Sequence, residues 1–299
     1  MGQVALLRKY GLSVQGFRGQ HLLIDPNIQR KIIEVVDPRP GEWILEIGPG
    51  LGALTTEILA RGARVIAVEK DRRFCEILEK ELGGDYKGKL KIVNTDILKA
   101  DLGKLMQSTP SPLPSPPERG RGEGEGDKIK AVSNLPYYIT SPVFFWLIAN
   151  RSHIKSAVLM MQKEVANRLL AQPGDKDYGR FTLAVRYYAQ VHRAFDVSRN
   201  CFTPRPEVDS SVLTLVFYPS SKLPKGLDEN LLFHIVKVAF GARRKMLLSR
   251  LAHDPQIGKS RVELLKVFQT LRIPENARAE DLLLKDFISL SRSLFSPSP

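Results

Sequence analysis

The stretch ILEIGPGLGALT at residues 44–55 constrains the fold of this chain more than any other segment. An apolar run ends in three closely spaced glycines, and a helical pattern follows them directly. Units of strand, glycine turn and helix occur in open parallel sheets, where the ligand binds beyond the carboxyl ends of the strands. The stretch therefore predicts both a fold class and the location of a binding site.

Strand and helix patterns alternate along most of the chain. Short β-branched runs separated by helices of about ten residues indicate a parallel sheet. These predicted strands cover 43–47, 64–69, 90–95, 129–133 and 156–161. Two further strands, 191–197 and 211–218, have no helix between them, so we expect an antiparallel pair to close the sheet. The sequence thus predicts an α/β fold with a doubly wound, mostly parallel seven-stranded sheet.

The pattern becomes entirely helical after Pro219. We therefore predict a sheet domain at residues 1–221 and a small all-α domain at residues 222–299. Residues 107–127, QSTPSPLPSPPERGRGEGEGD, contain one leucine as their only large apolar residue. A segment of this composition cannot bury enough apolar surface to offset its ordering entropy, so we predict a disordered loop inserted in the sheet domain.

The charge of the chain indicates the kind of partner. Its 45 Lys and Arg residues against 32 Asp and Glu residues leave a net charge of +13. This exceeds what solubility requires and favours nucleic acid as the partner. We expect phosphate contacts from an N-terminal basic arm and from one cluster in the helical domain: Arg8, Lys9, Arg18, Arg243, Arg244 and Lys245.

Other classes of protein are disfavoured by the composition. Cys75 and Cys201 make no disulfide framework, which suits the reducing cytoplasm. The longest uninterrupted apolar run, 143–149, is far shorter than the roughly 18 residues that a membrane span requires. The five histidines form no metal-ligand pattern. We expect a cytoplasmic protein without a metal ion and without a membrane partner.

The glycine turn distinguishes between two cofactors. A nicotinamide-binding turn reads G-x-G-x-x-G, but here Gly48 and Gly50 are followed by Gly52, and Ala53 occupies the usual third position. Glu46 precedes the glycines as the acidic residue of an E-x-G-x-G-x-G pattern, where it can approach the ammonium group of a methionine moiety. These features favour S-adenosylmethionine over a nicotinamide cofactor.

Two further carboxylates follow predicted strands. Glu69 ends the second strand, about 20 residues after the first glycine, where it can hold ribose hydroxyls. Asp96 follows the third strand, where it can accept a hydrogen bond from an adenine amino group.

The stretch VSNLPYYITSP at residues 132–142 follows the fourth strand, beside the predicted cofactor. Asn134 and the Leu135 carbonyl can accept the two N–H hydrogens of an exocyclic adenine nitrogen, which raises the nucleophilicity of that nitrogen. Pro136 fixes the backbone, and Tyr137 offers a ring on which an extruded base stacks. We interpret Tyr138 as core filler. Residues 134–137 therefore predict methyl transfer to an amino group of adenine.

The combined motifs resemble those of the ribosomal RNA adenine N6,N6-dimethyltransferases, the small-subunit enzymes associated with kasugamycin sensitivity. The resemblance covers essentially the whole chain outside the insert. It rests on GQHLLID (19–25), EIGPGLGALT (46–55), Glu69, TDIL (95–98), NLPYYITSP (134–142), FTPRPEVDSSV (202–212) and AFGARRKML (239–247).

The resemblance implies a class I, Rossmann-like methyltransferase domain and an RNA-binding helical domain. It also implies that Phe202 stacks on the second face of the target adenine and that His21 and Leu23 line the cofactor near its methionine end. The expected activity is dimethylation of N6 on two adjacent adenosines in the 3′-terminal hairpin loop of 16S ribosomal RNA, coupled to small-subunit biogenesis. The expected partner is a pre-30S particle, and we expect a monomer. Family members often have Asn-Phe where this chain has His21-Leu22.

Three other functions remain open at this point. A large-subunit dimethyltransferase of the macrolide-resistance type shares the chemistry, but residues 140–142 and the F-x-P-x-P-x-V-x-S block disfavour it. A non-enzymatic RNA-binding assembly factor or mitochondrial transcription factor would be expected to lose part of the glycine turn or of residues 134–137, and both are whole here. A nicotinamide oxidoreductase explains neither residues 134–137 nor the charge.

Overall fold

The computed structural model describes residues 2–12, 21–107 and 128–295. The chain divides into two compact units. The first consists of Met1–Ala166 and Gln190–Phe217, and the second of Asn167–Ala189 and Tyr218–Pro299. Arg18 and most of the predicted insert, residues 108–127, lie outside the described residues.

A seven-stranded sheet forms the centre of the first unit. Its strands are β2 (Trp43–Ile47), β3 (Arg64–Glu69), β4 (Leu90–Asn94), β5 (Ile129–Asn134), β6 (Ile154–Gln162), β7 (Ala189–Val197) and β9 (Ser210–Phe217). Their order across the sheet is β4-β3-β2-β5-β6-β9-β7. From β2 the next two strands, β3 and β4, are added on one side, whereas β5 lies on the other side of β2. A crevice forms where the strand order reverses in this way.

The pairing of the strands confirms the predicted mostly parallel sheet. Strands β2 to β6 pair in parallel, and β9 pairs with β6 antiparallel. In the middle of the sheet Leu45 lies beside Ile66 on one side and Ala131 on the other, and all three are fully buried. Continuous apolar runs form these strands because both faces of a parallel sheet are covered by helices.

Helices of the first unit connect these strands. They are α1 (Gln3–Lys9), α2 (Pro26–Val36), α3 (Ala53–Ala60), α4 (Arg72–Leu78), α5 (Leu102–Gln107) and α6 (Thr140–Ala149). The side chain of Asp25 accepts hydrogen bonds from the free N–H groups at the start of α2, and Asp71 does the same for α4. Helix α7 (Lys163–Leu170) runs from the first unit into the second.

A second, two-stranded sheet joins distant parts of the first unit. Strand β1 (Leu22–Leu23) pairs antiparallel with β8 (Phe202–Thr203). Leu23 and Phe202 face one another and are buried with side chains of α2, α3 and the main sheet. This pairing brings two of the quoted motifs together, and no periodicity in the sequence indicated it.

The second unit is helical. Its helices after α7 are α8 (Arg180–Tyr188), α9 (Glu229–Ala239), α10 (Leu247–Ala252), α11 (Arg261–Leu271) and α12 (Leu284–Phe295). The unit includes residues 167–189, which differs from the predicted boundary between residues 221 and 222. The physical reason is that α8 packs against α9, where the hydroxyls of Tyr187 and Tyr188 both donate hydrogen bonds to Glu229.

No helix in the described part of the chain combines the length and apolar character that crossing a membrane requires.

Candidate active site

A cavity of about 470 Å³ opens at the carboxyl ends of β2, β3 and β5. Most of the residues predicted to bind a cofactor or to act on substrate lie on its wall. They are His21, Leu23, Glu46, Gly48, Gly50, Glu69, Asp96, Asn134, Leu135, Pro136 and Tyr137. The structure thus brings four separate sequence motifs to one site. Two predicted residues, Gly52 and Phe202, are not on the wall.

The glycine turn between β2 and α3 shapes one side of the cavity. Gly48 and Gly50 have φ of 67° and 56°, in the left-handed region that favours glycine. A Cβ built on Gly48 would meet no atom within 4 Å, so this backbone faces open space. Gly52 differs, because a Cβ there would lie 2.8 Å from Cδ2 of Leu78. The structure therefore gives Gly52 a packing role against α4 in place of a position on the cavity wall.

Glu69 presents a fixed carboxylate to the cavity from the end of β3. Its Oε2 accepts a hydrogen bond from the Gly50 N–H at 3.2 Å, and its Oε1 accepts one from the Asp71 N–H at 2.8 Å. Burial raises the pKa of this carboxyl, while the backbone N–H groups favour the charged form. Each oxygen has a second lone pair, so both can still accept from a ligand hydroxyl.

Glu46 is the most deeply buried carboxyl on the wall. Its side chain is 2% exposed, and Thr55 Oγ1 donates a hydrogen bond to its Oε2 at 2.6 Å. Burial raises the pKa of Glu46 to about 7. A carboxylate in such surroundings is stabilised by a cation brought to it. Thr55 stands within the glycine motif, nine positions after Glu46, but no pattern in the sequence predicted its contact with this carboxyl.

Asp96 follows β4, as predicted, and lies on the cavity wall. Its Oδ1 accepts a hydrogen bond from the Leu98 N–H, and Lys70 Nζ lies 2.9 Å from its Oδ2. The hydrogen bond from Lys70 holds the pKa of Asp96 below its usual value. Asp96 therefore remains an anionic acceptor on the wall, with one oxygen paired to an exposed lysine.

The segment after β5 forms the other side of the cavity. Asn134 ends β5, and its Nδ2 donates a hydrogen bond to the main-chain carbonyl of His21 at 3.0 Å. Because Nδ2 is the donating atom, Oδ1 keeps its capacity to accept. The Leu135 N–H donates to the Met160 carbonyl at 3.0 Å, and the Leu135 side chain is buried. Residues 134–135 are therefore held by β6 through the backbone and by His21 through the side chain of Asn134.

Two tyrosines follow with different surroundings. The Tyr137 hydroxyl lies 3.2 Å from Ser210 Oγ, and its ring centroid lies 5.3 Å from that of His21. Burial raises the pKa of Tyr137. Tyr138 lies on the cavity wall and is 59% exposed, so the interpretation of this residue as core filler is wrong.

Phe202 is placed differently from the predicted stacking residue. Its side chain is 4% exposed and packs in the core with Leu23 and Val212. The ring does not reach the cavity wall. One residue that no sequence pattern indicated does reach it: Gln3 of α1, whose Nε2 donates to the Leu51 carbonyl at 3.2 Å.

The predicted phosphate-binding residues of the first unit lie on α1. Arg8 and Lys9 are both exposed, and Lys9 forms an ion pair with Glu81 at 2.5 Å. The helix that carries them is anchored by the buried side chains of Gln3 and Leu6. The predicted basic arm is thus an ordered helix over its described part.

The basic cluster of the second unit separates into two kinds of residue. Arg244 and Lys245 are exposed. The Arg243 guanidinium donates hydrogen bonds to the main-chain carbonyls of Asp175, Lys176 and Tyr178, and its Nε lies 3.3 Å from Glu280. Arg243 therefore ties together parts of its own unit, which leaves Arg244 and Lys245 as the cations presented to solvent.

Across the described residues, no group of three or more His, Cys, Asp and Glu side chains is arranged to hold a metal ion. Cys75 and Cys201 are both free thiols.

Comparison with known proteins places this site in a family. The sequence model of the family described as "Ribosomal RNA adenine dimethylase" matches residues 13–294. A protein of Moorella thermoacetica, named ribosomal RNA small subunit methyltransferase A, is 40% identical over 97% of this chain and 96% of its own length. A protein of the same name from a Geobacillus strain is 37% identical over 97% of this chain and 94% of its own length.

Solved structures show the same fold. A dimethyladenosine transferase from Plasmodium falciparum superposes with a TM-score of 0.74 at 27% identity, covering 90% of this chain and 96% of that chain. The 23S rRNA methyltransferase ErmE superposes with a TM-score of 0.65 at 23% identity, covering 92% of this chain and 100% of that one, which supports the fold alone. With a family model that spans nearly the whole sequence and relatives of this identity, the chain belongs to the ribosomal RNA adenine dimethylase family.

Proposed function

We propose that this protein uses S-adenosylmethionine to dimethylate N6 of two adjacent adenosines in the 3′-terminal hairpin loop of 16S ribosomal RNA during small-subunit biogenesis. Membership of the family makes the chain an enzyme that dimethylates adenine in ribosomal RNA. The small-subunit substrate is supported by curated relatives, which are named for small-subunit RNA and align over nearly their full length. One observation carries the proposal: Glu46 and Glu69 share a cavity with Asn134 and Tyr137.

The cavity fits S-adenosylmethionine in volume and in chemistry. Its volume of about 470 Å³ lies in the range of small-molecule and cofactor sites, roughly 300–1,000 Å³. Glu69 offers two fixed carboxylate oxygens to ribose hydroxyls, and buried Glu46 offers a negative charge to an ammonium group. Gly48 leaves open the space that a side chain would fill. Asp96 would accept a hydrogen bond from the adenine amino group, and His21 and Leu23 would line the methionine end.

When bound, S-adenosylmethionine supplies an electrophilic methyl group on a sulfonium. The protein has to present a poor nucleophile, because the lone pair of the exocyclic nitrogen of adenine is delocalised into the ring. Asn134 Oδ1 and the Leu135 carbonyl would accept the two N–H hydrogens of that nitrogen, which localises the lone pair and orients it. Tyr137 would stack on the extruded base, a contact worth roughly 1–3 kcal/mol.

The rest of the affinity for RNA would come from phosphate contacts. The net charge of +13 supports a polyanionic substrate, and Arg8, Lys9, Arg244 and Lys245 are exposed cations. We place the reaction in the cytoplasm, consistent with two free thiols, and we propose that a monomer acts on a pre-30S particle.

The experiment that tests the proposal is methyl transfer onto small subunits that lack the modification. The full chain is incubated with S-adenosylmethionine and these subunits, the RNA is digested, and the nucleosides are identified by mass. We expect N6,N6-dimethyladenosine in small-subunit RNA and none in large-subunit RNA treated in parallel. Dimethyladenosine in large-subunit RNA alone would replace this proposal with the macrolide-resistance type of activity.

A calorimetric titration tests the cofactor independently of the RNA. S-adenosylmethionine should bind and NAD should not. Binding of NAD in place of S-adenosylmethionine would overturn the assignment of the cavity.

A further inference from the structure

The serine that ends the F-x-P-x-P-x-V-x-S block, Ser210, has no part in the function described so far. It is fully buried at the start of β9, where it pairs with Gln162 at the end of β6. Its Oγ lies 3.2 Å from the hydroxyl of Tyr137. Ser210 is not on the cavity wall, and its hydrogen bond to the tyrosine links it to that wall.

A second support holds the Tyr137 ring. The ring of His21 lies with its centroid 5.3 Å from that of Tyr137, tilted by 35°. His21 is itself fixed, because its Nδ1 lies 2.6 Å from the Pro204 carbonyl. A carbonyl only accepts, so Nδ1 is the donor in this contact. The tyrosine is thus held at its hydroxyl by Ser210 and at its ring by His21.

Both supports lead back to one segment of the chain. Pro204 and Ser210 belong to the block at residues 202–212, and β8 at the start of that block pairs with β1, next to His21. The block therefore reaches Tyr137 by two routes.

Fixing the ring in advance has a physical consequence. Tyr137 begins a short 3₁₀ turn, Tyr137–Ile139, and its ring is only half-buried. A ring held before substrate arrives loses less conformational freedom on binding. Catalysis also depends on the position of such a ring, since a displacement of about 1 Å can cost on the order of 100-fold in rate.

We propose that Ser210 is a positioning residue that, together with His21, fixes the ring of Tyr137 for stacking on the target adenine. The inference rests on the proposed function of Tyr137. It assigns the F-x-P-x-P-x-V-x-S block a role in bracing the residues that follow β5.

A double-mutant cycle on the full chain tests this role. The variants are Ser210→Ala, Tyr137→Phe and the double variant, assayed for methyl transfer onto unmodified small subunits. Each single change deletes the same hydrogen bond, so each should lower kcat by about five- to tenfold, and the double variant should be no slower than the slower single variant. The KM for S-adenosylmethionine should not change.

Ser211→Ala is the matched control. Ser211 is also fully buried on β9, but its Oγ donates to Asp196 at 2.7 Å and does not contact Tyr137. This variant should lose a comparable amount of stability, read from its thermal midpoint, and keep the parent's kcat. Tyr137→Phe removes the same hydrogen bond by deleting the tyrosine hydroxyl. It therefore still tests the role of this bond if Ser210→Ala folds poorly.

The outcomes separate this inference from the proposed function. If the parent does not methylate small subunits, the proposed function fails. If the parent is active but Ser210→Ala behaves as Ser211→Ala does, or if the losses of the two single variants multiply in the double variant, Ser210 has no positioning role. The same holds if Tyr137→Phe retains the parent's kcat.

Discussion

The side-chain amide of Asn134 donates a hydrogen bond to the main-chain carbonyl of His21, over 3.0 Å. This contact joins the end of β5 to the residue that precedes β1, more than 100 positions earlier in the chain. It determines which way the amide faces, so that the oxygen of Asn134 stays available as an acceptor.

Replacing this amide should affect turnover far more than binding. We expect Asn134→Ala to lower kcat by about 100- to 1,000-fold, as found when one preorganised polar group of a reaction centre is removed, and to leave the affinity for S-adenosylmethionine nearly unchanged. Methyl-transfer kinetics and calorimetry measure the two quantities. Asn150→Ala is a suitable control, because Asn150 Nδ2 also donates to a main-chain carbonyl, that of Trp146. Parental turnover in Asn134→Ala would reduce Asn134 to a structural residue.

Glu46 should make the stability of the protein depend on pH. Burial raises the pKa of Glu46 to about 7, whereas a glutamate in an unfolded chain has a pKa of about 4.3. The folded protein therefore binds this proton more tightly than the unfolded chain does. The contribution of the proton to the free energy of unfolding is full below about pH 4 and is lost as the pH rises through 7. Glu46→Gln cannot ionise, so it should become more stable relative to the parent between pH 5 and pH 8 in denaturant titrations. Glu34→Gln, which makes the same substitution at an exposed position, is the matched control.

The same carboxyl should release a proton when a cationic ligand binds. An ammonium group brought to Glu46 favours its charged form, so near pH 6.5 the binding of S-adenosylmethionine should expel a proton from the parent and not from Glu46→Gln. Calorimetry in buffers of different ionisation enthalpy measures this release. An equal release in both proteins would place the ammonium group away from Glu46.

Two glycines of one turn should respond differently to the same substitution. Both have positive φ, so alanine is strained at either position. At Gly52 the added methyl would also meet Leu78, and we expect Gly52→Ala to lose about 2–4 kcal/mol of unfolding free energy. At Gly48 the methyl enters open space on the cavity wall, so Gly48→Ala should mainly weaken cofactor binding. Thermal unfolding and calorimetry distinguish the two, and equal losses of stability would contradict the difference.

The exposed cations of the second unit should hold RNA through phosphates. Arg244→Ala combined with Lys245→Ala should weaken binding to the RNA substrate and flatten its salt dependence, because fewer counterions are released. Affinity for S-adenosylmethionine and the thermal midpoint should remain those of the parent. Arg243→Ala should instead lower the thermal midpoint, since it removes three hydrogen bonds to main-chain carbonyls and the contact with Glu280. An unchanged salt slope in the double variant would exclude these two residues from RNA binding.

The insert should be dispensable. Residues 108–127 have a low apolar content, with four acidic residues against two arginines, so we expect a short Gly-Ser link between Gln107 and Lys128 to leave stability and activity close to the parent's. Thermal unfolding and methyl transfer measure both. A large loss of activity at unchanged stability would indicate that the insert contacts RNA.

Much of the fold was predictable because the signals are local. The strands at 43–47 and 64–69 have the predicted bounds, since a buried parallel strand needs a continuous apolar run and helices follow it directly. The glycines at 48 and 50 indicated the turn, because only glycine adopts that backbone without strain. The residues after β5 were predicted for the same cavity because parallel strands end at one edge of the sheet.

The tertiary structure decided everything that depends on residues far apart in the chain. The pairing of Leu23 with Phe202 buries a ring that was predicted to stack on the substrate, and no local period encodes such a pairing. In the sequence, Arg243 cannot be distinguished from its two basic neighbours. In the structure, its guanidinium donates hydrogen bonds to carbonyls of the loop at residues 175–178. Residue type and spacing thus determined the chemistry of the site. Long-range packing decided whether each side chain faces the cavity, the core or solvent, because burial depends on all the segments that meet at one place.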